Sequence, residues 1–152
     1  MIKLINKKSA LYNTRVLSQL LSDLYNDFKP ALSSRTNLIE WVKKLDYHAN
    51  ITMAFDKDRP IGLIAYYCND LSSKVTYISL LGMLSEYRGQ GIAIKLLKIC
   101  IEKSKEVGME NVIVKTESVN LKAIKFYEKM GFKKICWLLE HDVKKVKLRL
   151  DL

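Results

Sequence analysis

Histidine and cysteine are scarce in this chain: His48 and His141, with Cys68, Cys100 and Cys136, are all that 152 residues contain. Zinc sites draw on clusters of these residues at short fixed spacings, and the five make no such spacing, so a metal centre is not expected. The cysteines are odd in number and each lies inside an apolar segment, which is where small buried thiols sit. Long apolar runs are missing too. No stretch approaches the roughly 18 residues of a membrane-spanning helix. The first residues lack the basic, apolar and small-residue succession of a secretory leader, and the expected location is the cytoplasm. Acidic residues are outnumbered, 16 Asp and Glu against 26 Lys and Arg, for a formal charge of +10. Such a surplus attracts polyanions in general. The lysines are nevertheless spread over nearly every polar segment, Lys7, Lys43, Lys103 and Lys145 among them, without aromatic interleaving or a recognition-helix pattern. Nucleic acid is therefore disfavoured as a partner, and the surplus suits a phosphate-rich small ligand.

What is present describes one globular domain over residues 1–152. Hydrophobic residues make up 49% and charged residues 28%, an ordinary balance that can bury a core without staples. Residues 1–6 alternate as an edge strand. From Ser9, Leu11, Val16, Leu17, Leu20, Leu21 and Leu24 recur at spacings of three and four, which predicts a helix to about Phe28 with Pro30 as its stop. Thr36 is an N-cap for a second helix carrying Leu38, Ile39, Trp41, Val42 and Leu45, with Trp41 expected in the core. Residues 50–56 and 60–68 flank Lys57-Asp58-Arg59 as a hairpin, and residues 75–84 form the next strand. A helix through Ala93, Leu96, Leu97, Cys100 and Ile101 ends at Gly108. Residues 111–115 are a strand, 121–130 a helix capped by Asn120 and closed by Gly131, and 132–137 and 143–150 two final strands.

Residues 78–97 organise the rest. An apolar strand meets the turn Arg88-Gly89-Gln90-Gly91-Ile92-Ala93, and a helix follows at once. Glycines there allow positive φ, so successive N–H groups can point into one space. The first turn of the helix adds its own unpaired N–H groups and the positive end of its dipole. An anion binds best at such a junction, a pyrophosphate above all. Neither a Walker loop nor a dinucleotide fingerprint fits the spacing: no glycine leads into Gly-Lys-Ser/Thr, and the sixth position, with Gly89 as the first, is Ile94.

The turn resembles the acyl-CoA-binding signature of the GNAT superfamily of acetyltransferases, Gln/Arg-x-x-Gly-x-Gly/Ala, through Arg88, Gly91 and Ala93. A second stretch, from Asn120 through Ala123, Phe126 and Tyr127 to Gly131 and Phe132, looks like the C-terminal motif of the same superfamily. The two stand in the expected order with one strand between them, and the matched region runs from about Val75 to Ile135. The resemblance implies a mixed α/β (α+β) fold with a mostly antiparallel central sheet of about six to seven strands and about four flanking helices. A splayed central strand pair would form the acyl-CoA cleft. It implies that Leu81, Gly82 and Met83 offer backbone groups to the pantetheine and thioester, that Arg88, Gly89, Gln90, Gly91, Ile92 and Ala93 cradle the pyrophosphate, and that Asn120 contacts the cofactor as well. Gly82 has a meaning of its own, because a glycine within a strand marks a bulge or a close backbone approach.

The implied reaction is transfer of an acetyl group from acetyl-CoA, without a metal, to a primary amine in a ternary complex. The amine attacks the thioester carbonyl, a backbone N–H near Met83 stabilises developing charge, and Tyr127 protonates the leaving thiolate. Without the resemblance, Tyr127 reads as a core tyrosine on the stripe of Ile124 and Gly131. No base is assigned: residues 75–84 hold no carboxylate, Lys115 stands where some relatives have a glutamate, and Glu117, Tyr77, Glu86 and His48 stay open. Tyr66, Tyr67 and Tyr77 could line an acceptor pocket or an interface, such as that of a homodimer, or simply pack. Two other readings remain: a GNAT-like module that binds CoA without turnover, and a small basic nucleic-acid-binding domain.

Overall fold

The computed structural model describes residues 1–25 and 38–152. In chain order the elements are β1 (Ile2–Asn6), α1 (Thr14–Tyr25), α2 (Leu38–His48), β2 (Asn50–Asp56), β3 (Arg59–Tyr67), β4 (Val75–Met83), a 3-10 turn (Ser85–Tyr87), α3 (Ile92–Glu106), β5 (Asn111–Glu117), α4 (Leu121–Lys129), β6 (Lys133–Glu140) and β7 (Val143–Asp151). The seven strands follow the order β1-β2-β3-β4-β5-β7-β6, with one parallel pairing, β4 with β5, among mostly antiparallel ones. Among the described residues, strand number and helix number alike are those of the mixed fold expected from the sequence. The expected helix end at Phe28 and Pro30 and the cap at Thr36 lie outside the described residues.

The chain forms two compact units, residues 1–67 with 79–100 and residues 68–78 with 101–152. In the first, β1 pairs antiparallel with β2 from Ile2↔Asp56 to Asn6↔Thr52, and β2 with β3 from Asn50↔Tyr66 to Asp56↔Arg59. Every residue from Ile51 to Phe55 is buried, as befits a strand covered on both faces. The stripe Leu17, Leu20, Leu21 and Leu24 of α1 is sealed from solvent, and Val42 and Leu45 of α2 join it in the core. Burial of each such leucine stabilises the fold by about 1.5–3 kcal/mol.

Helix α1 starts five residues later than the Ser9 start expected from the sequence. Asn13 is its cap, its Oδ1 accepting from Val16 N at 2.9 Å and its carbonyl from Leu17 N at 3.1 Å. Ser9 instead closes a turn, accepting from Leu11 N through Oγ and from Tyr12 N through its carbonyl. The intervening loop is fastened to α2 through Asp46, which takes the Tyr12 hydroxyl at 2.6 Å, the Thr14 hydroxyl at 3.2 Å and, on its carbonyl, Lys7 Nζ at 2.9 Å. Burial, and then the Asp46 carboxylate, raise the Tyr12 phenol well above its ordinary range. On α2, Trp41 is half-buried rather than core, and Ile39 is 69% exposed.

In the second unit β4 contributes Val75 to Ile78, parallel to β5 from Val75↔Asn111 to Ile78↔Val114. β5 pairs antiparallel with β7 from Asn111↔Asp151 to Glu117↔Lys145, and β7 with β6. Val112, Val114, Val146 and Leu148 supply the core, with Ile124 and Tyr127 of α4 and Phe132 after it. Thr76 and Ser104, both sealed from solvent, satisfy each other at 2.7 Å. β6 runs three residues past its expected end at Trp137. It is the last strand in the order, with a bulge between Lys134 and Cys136, and its first five residues are exposed. Cys136 is consequently exposed, against the expectation of a buried thiol, whereas Cys68 and Cys100 are buried. Among the described residues no helix is long and apolar enough to cross a membrane, and no group of three or more His, Cys, Asp or Glu could hold a metal.

Candidate active site

The end of β4 and the segment after it carry most of the predicted site residues, all within the first unit. Leu81 and Gly82 are half-buried and Met83 is 5% exposed. Leu84 N donates to Ile61 O at 2.8 Å, which seats the strand end on β3. The 3-10 turn follows, closed by Tyr87 N to Leu84 O and Arg88 N to Ser85 O. Arg88 turns its side chain back, Nε donating to Met83 O at 3.1 Å, and Gln90 Nε2 reaches Glu86 O at 3.4 Å.

Gly89 and Gly91 both adopt φ of +79°, a left-handed conformation that costs other residues about 1–2 kcal/mol. A Cβ placed on either would meet nothing within 4 Å, so open space lies over them. Helix α3 starts at Ile92, and its first intrahelical bond is Lys95 N to Gly91 O at 3.3 Å. The N–H groups ahead of that bond have no acceptor within the helix. Two left-handed glycines, open space and a 15-residue helix beginning there are the backbone features that favour an anion.

At Gly82, expected to mark a bulge or a close backbone approach, the nearest atoms to a Cβ are the δ-methyls of Leu24, from 3.3 Å. The glycine that is closely approached is Gly62 on β3, which the sequence reading passed over. A Cβ on Gly62 would fall on Met83 Sδ and lie 2.8 Å from both Met83 Cε and Gly82 O. Its absence lets β3 and the end of β4 close together. A glycine inside an otherwise largely apolar strand was the available signal.

The remaining candidates belong to the second unit. Asn120 caps α4, its Oδ1 accepting from Ala123 N at 3.2 Å, and this leaves its amide donors to be offered elsewhere. Tyr127 is 6% exposed and stands edge-on to Phe126 and Phe132, each ring centroid 5.3 Å away. On the sheet, Lys115 Nζ is bound to Glu140 Oε2 at 2.7 Å, and Lys145 Nζ to Glu140 Oε1 at 3.1 Å. The hydrogen bond from Lys115 holds the Glu140 carboxyl below its usual range and raises Lys115 in turn. Lys115 also stands 5.7 Å from the centre of the half-buried Tyr77 ring. Burial raises the Tyr77 phenol, which Lys115 partly offsets, so it is protonated at neutral pH. Glu140 escaped the sequence reading because the strand was expected to stop short of it.

Among the open base candidates, Glu86 is engaged by Arg59 through two hydrogen bonds, at 2.8 and 3.3 Å, and its carboxyl is lowered by them. A depressed, exposed carboxylate is a weak proton acceptor. His48 is exposed and edge-on to Tyr47 at 4.8 Å.

A family model described as Acetyltransferase (GNAT) family matches residues 15–132, a span that takes in residues of both units. The chain is 40% identical over 84 residues to N-alpha-acetyltransferase 30 of Schizosaccharomyces pombe, an alignment covering 53% of this chain and 55% of that protein. The chain thus spans about half the length of that relative. Among solved structures, Arabidopsis thaliana NAA60 in complex with a bisubstrate analogue superposes with a TM-score of 0.80 at 18% identity, covering 99% of this chain and 98% of the other. A GNAT family acetyltransferase from Elizabethkingia anophelis with acetyl-CoA bound gives 0.73 at 18% identity, with the same coverage. These two likenesses concern the fold.

Proposed function

The chain belongs to the acetyltransferase (GNAT) family, and from that premise we propose that it transfers the acetyl group of acetyl-CoA to an α-amino group at the N-terminus of a peptide or protein. The observation that carries the donor half is the pair of left-handed glycines opening onto the start of α3. The acceptor half draws on the relative's name, N-alpha-acetyltransferase 30. A formal charge of +10 disfavours polycationic acceptors such as polyamines by repulsion.

Acetyl-CoA supplies an activated thioester carbonyl. The backbone N–H groups of Gly89 to Ala93 hold its diphosphate, and Leu81, Gly82 and Met83 align the pantetheine arm with strand backbone. Asn120 offers its Nδ2 donors to the same ligand, since Oδ1 is committed to the cap. Tyr127 acts as the acid: its hydroxyl gives a proton to the departing thiolate, and its ring is held by Phe126 and Phe132. The acceptor amine must arrive neutral or lose its proton to water or a side chain.

The test combines binding and turnover. Acetyl-CoA and CoA, but not ATP or NAD, raise the melting temperature, because a ligand that binds only the folded state stabilises it. Thiol release is then measured with peptides bearing a free N-terminus and with the same peptides blocked there. The free peptides are turned over, and Tyr127→Phe lowers kcat while the affinity for CoA is kept. No stabilisation by acetyl-CoA well above micromolar concentration refutes the donor assignment. Binding without turnover of any amine leaves a CoA-binding module instead.

A further inference from the structure

We propose that the tip of the β2–β3 hairpin is a clamp for the glycine turn, with Asp56 and Tyr87 as positioning residues for the diphosphate end of the acyl donor. The inference rests on the donor assignment above and adds residues that neither family motif contains.

Gly89 and Gly91 receive no packing support, as nothing lies within 4 Å of where their side chains would be. The direction of their N–H groups is therefore set by the bonds of Arg88 Nε to Met83 O and Gln90 Nε2 to Glu86 O and by the two ends of the segment. One end is α3. The other is Glu86 and Tyr87, and both are held from the hairpin tip. The Tyr87 hydroxyl donates to Asp56 Oδ2 at 2.6 Å, in a partly buried position. Arg59 binds Glu86 through both terminal nitrogens, and its guanidinium stands 5.8 Å from the centre of the Tyr87 ring. Asp56 and Arg59 are themselves register partners across the turn, where Lys57 takes φ of +56°. Four side chains thus close a ring between the hairpin tip and the two residues preceding Arg88.

The two halves of the ring are unequal. Arg59 and Glu86 are 52% and 59% exposed, and ion pairs in that situation contribute little. The bond from Tyr87 to a carboxylate is short and charge-assisted, which makes it the stronger member. The Tyr87 phenol is raised chiefly by this bond, in agreement. A prearranged cradle spends none of its binding energy on ordering itself when the diphosphate arrives, so loosening the clamp weakens donor binding without touching the reacting atoms.

The experiment is calorimetric titration of the full chain with CoA and, separately, S-acetylpantetheine, which lacks the diphosphate. Tyr87→Phe and Asp56→Ala each weaken CoA binding by about fivefold, the equivalent of one lost hydrogen bond. They leave S-acetylpantetheine unchanged, raise KM for acetyl-CoA and keep kcat. The double variant is no worse than either single one, because both act through one bond. Asp56→Asn, whose amide oxygen still accepts from Tyr87, restores most of the affinity. Equal losses for both ligands, or CoA affinity within about twofold of wild type in Tyr87→Phe, overturn the clamp and leave the donor assignment standing. A wild-type chain that binds no CoA overturns the donor assignment, and the clamp with it.

Discussion

Gly62 tests whether the seat of β4 on β3 is as tight as its geometry indicates. In Gly62→Ala the new methyl lands on Met83 Sδ and within 2.8 Å of Gly82 O, a backbone atom that cannot swing aside. Overpacking of this kind costs about 1–3 kcal/mol. The same substitution reduces the freedom of the unfolded chain and returns about 0.4–1 kcal/mol. The net loss is about 1–2 kcal/mol, which for a chain of this size lowers the melting temperature by roughly 3–6 °C. Gly82→Ala has the opposite expectation. Its methyl meets the Leu24 side chain, from 3.3 Å at Cδ1, the far end of a side chain that can yield, so it melts within about 2 °C of wild type.

Differential scanning calorimetry of the two variants decides the matter, with Gly62→Ala/Met83→Ala as a third arm. Met83→Ala alone opens a cavity, at a cost of about 2–5 kcal/mol for a buried methionine. It also removes two of the three atoms that crowd position 62. The double variant is therefore less damaged than the sum of the singles, by an amount of order 1 kcal/mol. A Gly62→Ala protein that melts within about 1 °C of wild type, or a Gly82→Ala protein that suffers more, refutes the close-approach argument.

Gly89→Ala and Gly91→Ala cost stability only through their left-handed backbone, about 1 kcal/mol each by thermal melts, and they weaken CoA binding in titration more than that loss suggests, since they reshape the cradle. Asn120→Ala removes the cap of α4 and destabilises by about 1 kcal/mol, whereas Asn120→Asp keeps the cap, and loses CoA affinity only if the Nδ2 donors serve the ligand. Glu140 is depressed by its lysines, so its contribution is present above the unfolded carboxyl value of about 4.3 and fades as pH falls through the lower folded value. Lys115 is raised by the same bond, and its contribution persists below the ordinary lysine value of about 10.4 and fades as pH rises through the folded one. Glu140→Gln accordingly lowers stability between about pH 5 and 10 and flattens the acid limb in denaturation curves, and an unchanged acid limb would contradict the pairing.

The parts of this fold that the sequence made legible are those governed by short-range regularity. The leucines of α1 follow helical spacing and are buried as it requires, and on the face of α3 Leu96, Leu97 and Cys100 are buried while Ala93 and Ile101 are half-buried. Asn120 and Gly131 bracket α4 as cap and stop, Gly131 with φ of +98°. The glycine cradle was legible for the same reason, because its chemistry resides in backbone conformation and consecutive residues set it. Errors arose where a nearby alternative competed. Ser9 and Asn13 are both good caps, and only the fastening of the loop to Asp46 shows why the helix begins at the second. Cys136 sits in an apolar run, yet β6 ends the sheet, and strand order cannot be read from composition.

What stayed illegible is the set of side-chain bonds between residues far apart in the chain. Tyr12 and Asp46 are 34 residues apart, Asp56 and Tyr87 are 31, and Lys115 and Glu140 are 25. No periodicity connects such pairs, and each residue alone looks like an ordinary surface polar group. These bonds fix what backbone conformation leaves free: where a helix starts, how a turn is oriented, which proton a sheet face holds. The proposed donor cradle is legible in the sequence because backbone conformation makes it and the glycines set that conformation. Acceptor choice depends on side chains converging from separate elements, and its residues can be found only by their contacts.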